Sequence, residues 1–377
     1  MHQLEAPPSA SAPEAGTATT ATATAGTPQP QPQPRPLIKV ENLEVEFPTD
    51  MGTVHAVNGV DFQIMPGQTL GVVGESGCGK SVTARAILRI LRDPGRITNG
   101  TITYHRPRSA AQSTLVADAG TEAVTGDTID LTALDPRGKT IRSIRGNDIA
   151  MIFQEPMTSL SPVHTIGNQI CEAILLHRDV TKKDAIAIAE EMLTRVGVPN
   201  ARQRLDDYPH QFSGGMRQRA MIAMALSCQP SLLIADEPTT ALDVTTEAQI
   251  LELIREIQQD TGMAVMLITH NLGVVAEMAE EVIVMYLGKV VERTDVVSLF
   301  YDPQHPYTQA LLSSIPRIGR RVEDLEVITG SVPDPTNIPR GCPFHTRCKE
   351  FMASTCDVEV PQLREISPGH RVSCLRR

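Results

Sequence analysis

The chain contains no tryptophan, and its aromatic share is only 3%. Its core must therefore be built from aliphatic side chains and the 14 methionines. It has no excess of positive charge: 34 Lys and Arg against 44 Asp and Glu leave a net charge of −10. Without a basic field nothing holds a phosphate backbone, which argues against nucleic acid as the main partner. No window approaches the roughly 18–20 uninterrupted apolar residues of a membrane-spanning helix, and the N-terminus lacks a basic region followed by an apolar stretch. Any role at a membrane has to run through partner subunits. The seven cysteines are odd in number and unevenly placed, with Cys78, Cys171 and Cys228 scattered and the other four inside the last 36 residues. That asymmetry speaks against a disulfide framework and for a local metal or cluster site. No internal repeat is visible.

What remains is ordinary for a globular protein: 377 residues, 41% apolar and 21% charged, enough for one large domain with additions or for two modest ones. Residues 1–36 are rich in Ala, Thr, Pro and Gln and end in QPQPQPRP, a tail with little to bury. From Leu37 the runs LIKVENLEVEF, VHAVNGVDFQI and QTLGVVG predict an antiparallel β-layer that feeds a central strand. Residues 106–128 are small and polar and are expected to be a surface insertion between two strands. Helical periodicity over 165–205 predicts a mostly helical subdomain at about 155–225. SLLIADEP and MAVMLITH are expected to be short buried parallel strands separated by a helix around AQILELIREIQQ, and VIVMYLGKVVER returns to strand.

The chemistry sits at the ends of these runs. Gly74-Glu75-Ser76-Gly77-Cys78-Gly79-Lys80-Ser81 fits the phosphate-loop pattern G-x4-G-K-[ST], with a strand before it and a helix, starting at Lys80, Ser81 and Val82, after it. In such a loop the backbone N–H groups and the helix N-terminus face the β-phosphate of a nucleotide, Lys80 reaches the β/γ oxygens, and the Ser81 hydroxyl ligates Mg²⁺. The apolar run Leu232–Ala235 ends in Asp236-Glu237. Asp236 there suits the Mg²⁺ shell, and Glu237 suits a general base that polarises the attacking water.

Between these two elements lies Phe212-Ser213-Gly214-Gly215-Met216-Arg217-Gln218-Arg219. Here the sequence resembles the ABC ATPase family, whose signature reads L-S-G-G-Q. The resemblance covers about residues 37–295 and implies the family's fold, an α/β P-loop core with an antiparallel β-subdomain and a helical subdomain. It implies that Ser213, Gly214 and Gly215 contact the ATP of a second subunit, that Gln154 in MIFQEPMTSLSP contacts Mg²⁺ or water and senses the membrane partner, that His270 contacts the γ-phosphate, and that Thr240–Asp243 communicates across the dimer. His55 stands where the family places an aromatic that stacks on adenine. Phe212 and Met216 depart from the signature, but the serine and glycines that touch phosphate are kept.

Beyond the cassette, residues 296–377 include YDPQHPYTQALLSSIP, which resembles the oligopeptide/dipeptide importer branch, as does MIFQEPMTSLSP; Ser161 is a departure, since the branch often has Asn there. The four late cysteines are spaced Cys342-x5-Cys348-x7-Cys356-x17-Cys374, with Arg347, Lys349 and Arg371 nearby. Four thiolates suit a [4Fe–4S] cluster or a structural Zn²⁺, although paired C-x2-C knuckles are missing, and free thiols are a third reading. The branch resemblance implies the cluster. The expectation is an ATPase that powers peptide import from the cytoplasmic face of the cell membrane, with a second ABC ATPase as heterodimer partner, two transmembrane permease subunits and an extracytoplasmic solute-binding protein. The same machinery importing nickel chelates or glutathione is the alternative; a soluble ABC ATPase outside transport is a more distant rival, as is an ATPase that assembles or senses iron–sulfur clusters.

Overall fold

Apolar residues at alternate positions pair Ile38–Thr49 (β1) with Gly52–Ile64 (β2) in antiparallel register, from Ile38 opposite Ile64 to Thr49 opposite Gly52. In the computed structural model the inward residues Ile38, Val40, Leu43, Val45, Val57, Val60, Phe62 and Ile64 are all buried. The described residues are 35–107, 124–125, 128–154, 159–239, 243–315 and 328–377. The tail therefore falls outside them up to Pro34, as does the expected insertion over 108–123 and 126–127.

Thr69–Val73 (β3), five buried residues, leaves the β-layer and enters a second sheet. The phosphate-loop segment follows, and then the helix Lys80–Ile87 (α1). Arg96–His105 (β4), Val124–Thr125 (β5) and Thr128–Asp130 (β6) complete the antiparallel layer in the order β2-β1-β4-β6-β5. The short helix Lys139–Ile144 (α2) leads to Ile149–Ile152 (β7).

A helical region follows: Ile166–His177 (α3), Lys182–Arg195 (α4), Ala201–Arg204 (α5) and Gly214–Leu226 (α6). Their starts are written locally. Thr165 caps α3, and Thr181 with Asp184 forms a reciprocal capping box on α4, satisfying amides that an isolated helix end leaves bare. These helices share one core with the neighbouring face of the second sheet.

Leu232–Asp236 (β8), the helix Val244–Thr261 (α7), Ala264–Ile268 (β9), the helix Leu272–Met278 (α8) and Glu281–Tyr286 (β10) build the parallel part of that sheet. Its strands carry almost unbroken apolar runs because both faces are covered. Lys289–Asp295 (β11) turns back antiparallel on β10. Helices Val296–Tyr301 (α9) and Pro306–Ser313 (α10) follow.

The C-terminal residues join the central sheet. Arg364–Ser367 (β12) and His370–Val372 (β13) extend the central sheet to the order β12-β13-β11-β10-β3-β9-β8-β7, with Glu292 paired to Val372 and Arg293 to Arg371. Glu292 ties this addition together. It is fully buried, accepts the backbone N–H of Gln304 at 2.7 Å and of His305 at 2.9 Å, and lies 2.8 Å from His370 Nε2.

A buried carboxylate with three polar partners leaves all three unsatisfied when it is removed, at about 1–3 kcal/mol each before relaxation. Glu292→Ala is expected to lower the unfolding free energy by about 3 kcal/mol and to open residues 296–377 to proteolysis. A urea midpoint and a protease pattern equal to those of the parent protein would reject this latch.

Candidate functional site

The parallel strands end in step. Ile152 is opposite Ala235, Ala235 opposite Leu267, and Gly71 opposite Leu267, so one row crosses four strands. Chain beyond that row leaves the sheet at its carboxyl edge, where open α/β sheets hold their ligands. The residues that emerge there are Gly74 after β3, Gln154 after β7, Asp236-Glu237 at the end of β8 and His270 after β9. Segments far apart in sequence thus meet along one edge.

The phosphate-loop segment is shaped by close backbone approaches. Gly79 has φ +103°, and a Cβ there would lie 2.3 Å from the carbonyl oxygen of Ala56. Gly74 has φ +150° and would meet the Met285 carbonyl oxygen at 2.2 Å. Glycine is the residue that fits both. Gly77 also has positive φ and faces open space, and Ser76 is exposed. Cys78 is buried, and burial pushes its thiol pKa up despite the nearby charge of Lys80. Lys80 Nζ donates to the carbonyl oxygens of Gly74 at 2.7 Å and Glu75 at 3.0 Å. Val82 is half-buried in the first turn of α1.

Ser81 Oγ donates to Asp236 Oδ1 at 2.8 Å. Asp236 is 1% exposed, and its other oxygen, Oδ2, is buried without a hydrogen-bond partner. Burial raises the carboxyl pKa, with the Ser81 hydrogen bond opposing. A buried carboxylate oxygen lacking a donor, beside a serine hydroxyl, is the donor set a hard divalent cation takes, so Mg²⁺ fits here.

Glu237 has φ +50°, a left-handed conformation unusual for a residue with a side chain, and its N–H donates to Ile268 O at 2.9 Å. The carboxylate is held from two sides. Gln154 Nε2 donates to Oε2 at 2.8 Å, and His270 Nδ1 lies 3.4 Å from Oε1. Gln154, Glu237 and His270 form one cluster, and Asp236, the partner of Ser81, directly precedes Glu237 in the chain.

Ser213 caps α6, accepting from Met216 N–H at 3.3 Å. A Cβ on Gly214 would meet nothing within 4 Å, so this helix start is open to an incoming group. Gln218, 1% exposed, donates to the Pro238 carbonyl and so joins the signature helix to the chain just past Glu237. His55 lies on β2, next to the Ala56 whose carbonyl crowds Gly79, and its Nδ1 is 3.2 Å from Glu46. Of the expected dimer-communicating segment, Thr240–Leu242 lie outside the described residues; Asp243 caps α7 through Thr246 N–H at 3.0 Å.

The late cysteines lie near one another, with Cys342 N–H donating to Cys356 O at 2.8 Å. The neighbouring Cys348, Cys356 and Cys374 add to burial, the larger cause, in raising the Cys342 pKa to about 11. Backbone N–H groups of Phe344 and Glu350 act the other way on Cys342 and Cys348. All four are free thiols, and among the described residues no group of three or more His, Cys, Asp or Glu is arranged to hold a metal ion. Neither the expected [4Fe–4S] cluster nor its Zn²⁺ alternative is therefore supported by this arrangement.

Two residues that no motif had placed here also reach the loop. Tyr307 OH accepts Glu75 N–H at 2.9 Å, and Arg347 clamps the Glu75 carboxylate with Nη1 to Oε2 at 2.7 Å and Nη2 to Oε1 at 3.0 Å. The only sequence signals for them were HPYT and a basic residue beside a cysteine, neither of which carries long-range placement.

Among known families, residues 57–240 match ABC transporter and residues 291–356 match the oligopeptide/dipeptide transporter C-terminal region. The dipeptide transport ATP-binding protein DppD of Bacillus subtilis is 48% identical over 339 residues, covering 90% of this chain and 94% of that protein. The oligopeptide transport ATP-binding protein OppD of Salmonella typhimurium is 42% identical over 340 residues, covering 90% and 93%. A dimeric bacterial ABC transporter cassette of known structure shares the fold with a TM-score of 0.57 at 24% identity, covering 69% of this chain and 98% of that one.

The raised Asp236 pKa has a definite sign. A carboxyl whose folded pKa exceeds its unfolded one destabilises the fold as pH rises from the ordinary carboxylate range through the raised value, and costs nothing below that range. Relative to Asp236→Asn, the nucleotide-free parent should therefore lose stability across that window and show a constant gap above it. A stability difference independent of pH, read from denaturation midpoints between pH 3 and 8, about the span of ordinary carboxylate titration and beyond, would contradict the assignment.

Proposed function

Because the chain belongs to the ABC transporter ATP-binding subunits of the oligopeptide/dipeptide importer family, we propose that the sheet-edge cluster hydrolyses ATP to drive peptide import through partner permeases. The observation that carries this is the Glu237 carboxylate, held by Gln154 and His270 and next in the chain to the buried Asp236, which Ser81 contacts.

The loop Gly74–Ser81 cradles the nucleotide phosphates with its backbone amides, and Lys80 exchanges its loop carbonyls for phosphate oxygens. Ser81, Asp236 and Gln154 would hold Mg²⁺, which would supply positive charge against the nucleotide phosphates. Glu237 accepts a proton from the attacking water and orients it; His270 and Gln154 fix the carboxylate in the conformation that does so. His55 stacks on adenine, releasing Glu46 as it turns.

Ser213, Gly214 and Gly215 serve the ATP of a second ABC ATPase subunit, a different chain in a heterodimer. The two subunits close on ATP and reopen after hydrolysis, and the helical region bearing α3 and α4 docks onto two transmembrane permease subunits. An extracytoplasmic binding protein delivers the peptide. Among the described residues no helix is long and apolar enough to cross a membrane, so attachment to the cytoplasmic face runs through the permeases.

The Cys342, Cys348, Cys356 and Cys374 set holds a [4Fe–4S] cluster. The adjacency of these residues, with Cys342 N–H donating to Cys356 O at 2.8 Å, and the N–H groups of Phe344 and Glu350 beside Cys342 and Cys348 support this reading. When bound, the cluster supplies a rigid four-point crosslink to this segment.

Glu237→Gln keeps the carbonyl that Gln154 can hold and removes the base. In the assembled transporter it should retain ATP binding while turnover falls about 10²–10⁴-fold; turnover at the parent rate would overturn the role of Glu237. Separately, anaerobically purified protein is expected to contain about four irons per chain and a broad visible absorption lost in Cys348→Ser. Protein free of iron would sink the cluster reading and leave the ATPase reading intact.

A further inference from the structure

An acidic residue in a phosphate-binding loop needs an explanation. Glu75 follows Gly74, and its carboxylate, left unpaired, would repel the nucleotide phosphates. In the structure it is not unpaired: the Arg347 guanidinium meets it in a two-pronged ion pair, and Arg347 is itself 4% exposed in its side chain. The pair joins residues 272 positions apart.

The guanidinium is seated in a preformed niche. Its Nε donates to Thr329 O at 3.3 Å, its Nη1 also reaches the Tyr286 hydroxyl at 3.4 Å, and it lies over the Tyr286 ring at 5.9 Å. Phe344 packs edge-on against Tyr286 at 5.2 Å, and Tyr307 packs on both at 4.7 and 5.3 Å. This aromatic wedge aims the Tyr307 hydroxyl at Glu75 N–H. The C-terminal region thus holds Glu75 by both side chain and backbone. The carbonyls of Gly74 and Glu75 are the ones that Lys80 occupies, so the position of Glu75 bears on the lysine as well.

We propose that Arg347 and Tyr307 are positioning residues of the nucleotide site: Arg347 cancels the Glu75 charge, and both set the loop that receives ATP. The inference rests on the reading of Gly74–Ser81 as the ATP-binding loop. It makes the cysteine-bearing segment a working part of that loop, because Arg347 directly precedes Cys348 in the chain, and it does not depend on what the thiols hold.

The test is calorimetric titration of the full-length chain with ATP and Mg²⁺, with a melting curve for each variant. Arg347→Met should weaken affinity about tenfold, which is about 1.4 kcal/mol, and Glu75→Gln added to it should recover most of the loss, because the uncancelled charge is gone. Arg347→Lys, which keeps the charge but loses the fork, should stay within about threefold of the parent and covers the case in which the methionine variant does not fold. Unchanged affinity in Arg347→Met, or a loss that Glu75→Gln does not relieve, would overturn the proposal. Lys80→Ala separates the two readings: if it binds ATP as the parent does, the loop assignment itself fails, whereas lost binding there with Arg347→Met unaffected removes only the role of Arg347.

Discussion

The in-step ending of parallel strands is the constraint on which the site depends. Hydrogen-bond register forces Ile152, Ala235, Leu267 and Gly71 into one row, and each following segment leaves the sheet at the same edge. Gln154 and Glu237 are 83 residues apart in the chain yet 2.8 Å apart in space for this reason. The strands can end together because nearly every residue within them is apolar and buried on both faces, which leaves the edge as the first place where polar side chains find partners.

At that edge the fold tolerates local costs. Asp236 keeps an oxygen buried without a donor, and Glu237 adopts a left-handed backbone. Each is worth of the order of 1–3 kcal/mol in the unfavourable direction. Both fall on the two carboxylates that the proposed chemistry uses. The surrounding sheet and its two covering cores offset these costs.

The C-terminal region is joined to the cassette at several points. Its two short strands continue the central sheet, Glu292 locks them through three polar contacts, and Arg347 and Tyr307 reach the phosphate loop. Breaking a buried charge pair by removing one partner typically costs about 3–5 kcal/mol. Glu75, with its side chain 26% exposed, is partly screened, so its own contribution falls below that range. Even so, the contact ties the stability of the late segment to the shape of the loop.

By itself the sequence determined the local features: glycines where the loop backbone crowds its neighbours, apolar runs long enough for buried strands, caps at helix starts, and acidic or basic residues at strand ends. These depend on interactions within a few residues, which spacing records. It also pointed to Gln154, Glu237 and His270 through their order along the chain. Only the tertiary structure decided that Glu237 is clasped from both sides, that Asp236 Oδ2 lacks a donor, and that Arg347 answers the charge of Glu75. Such pairings join residues tens to hundreds of positions apart, and no periodicity encodes them. They are set by strand order and by the three-dimensional packing of the C-terminal segment against the core.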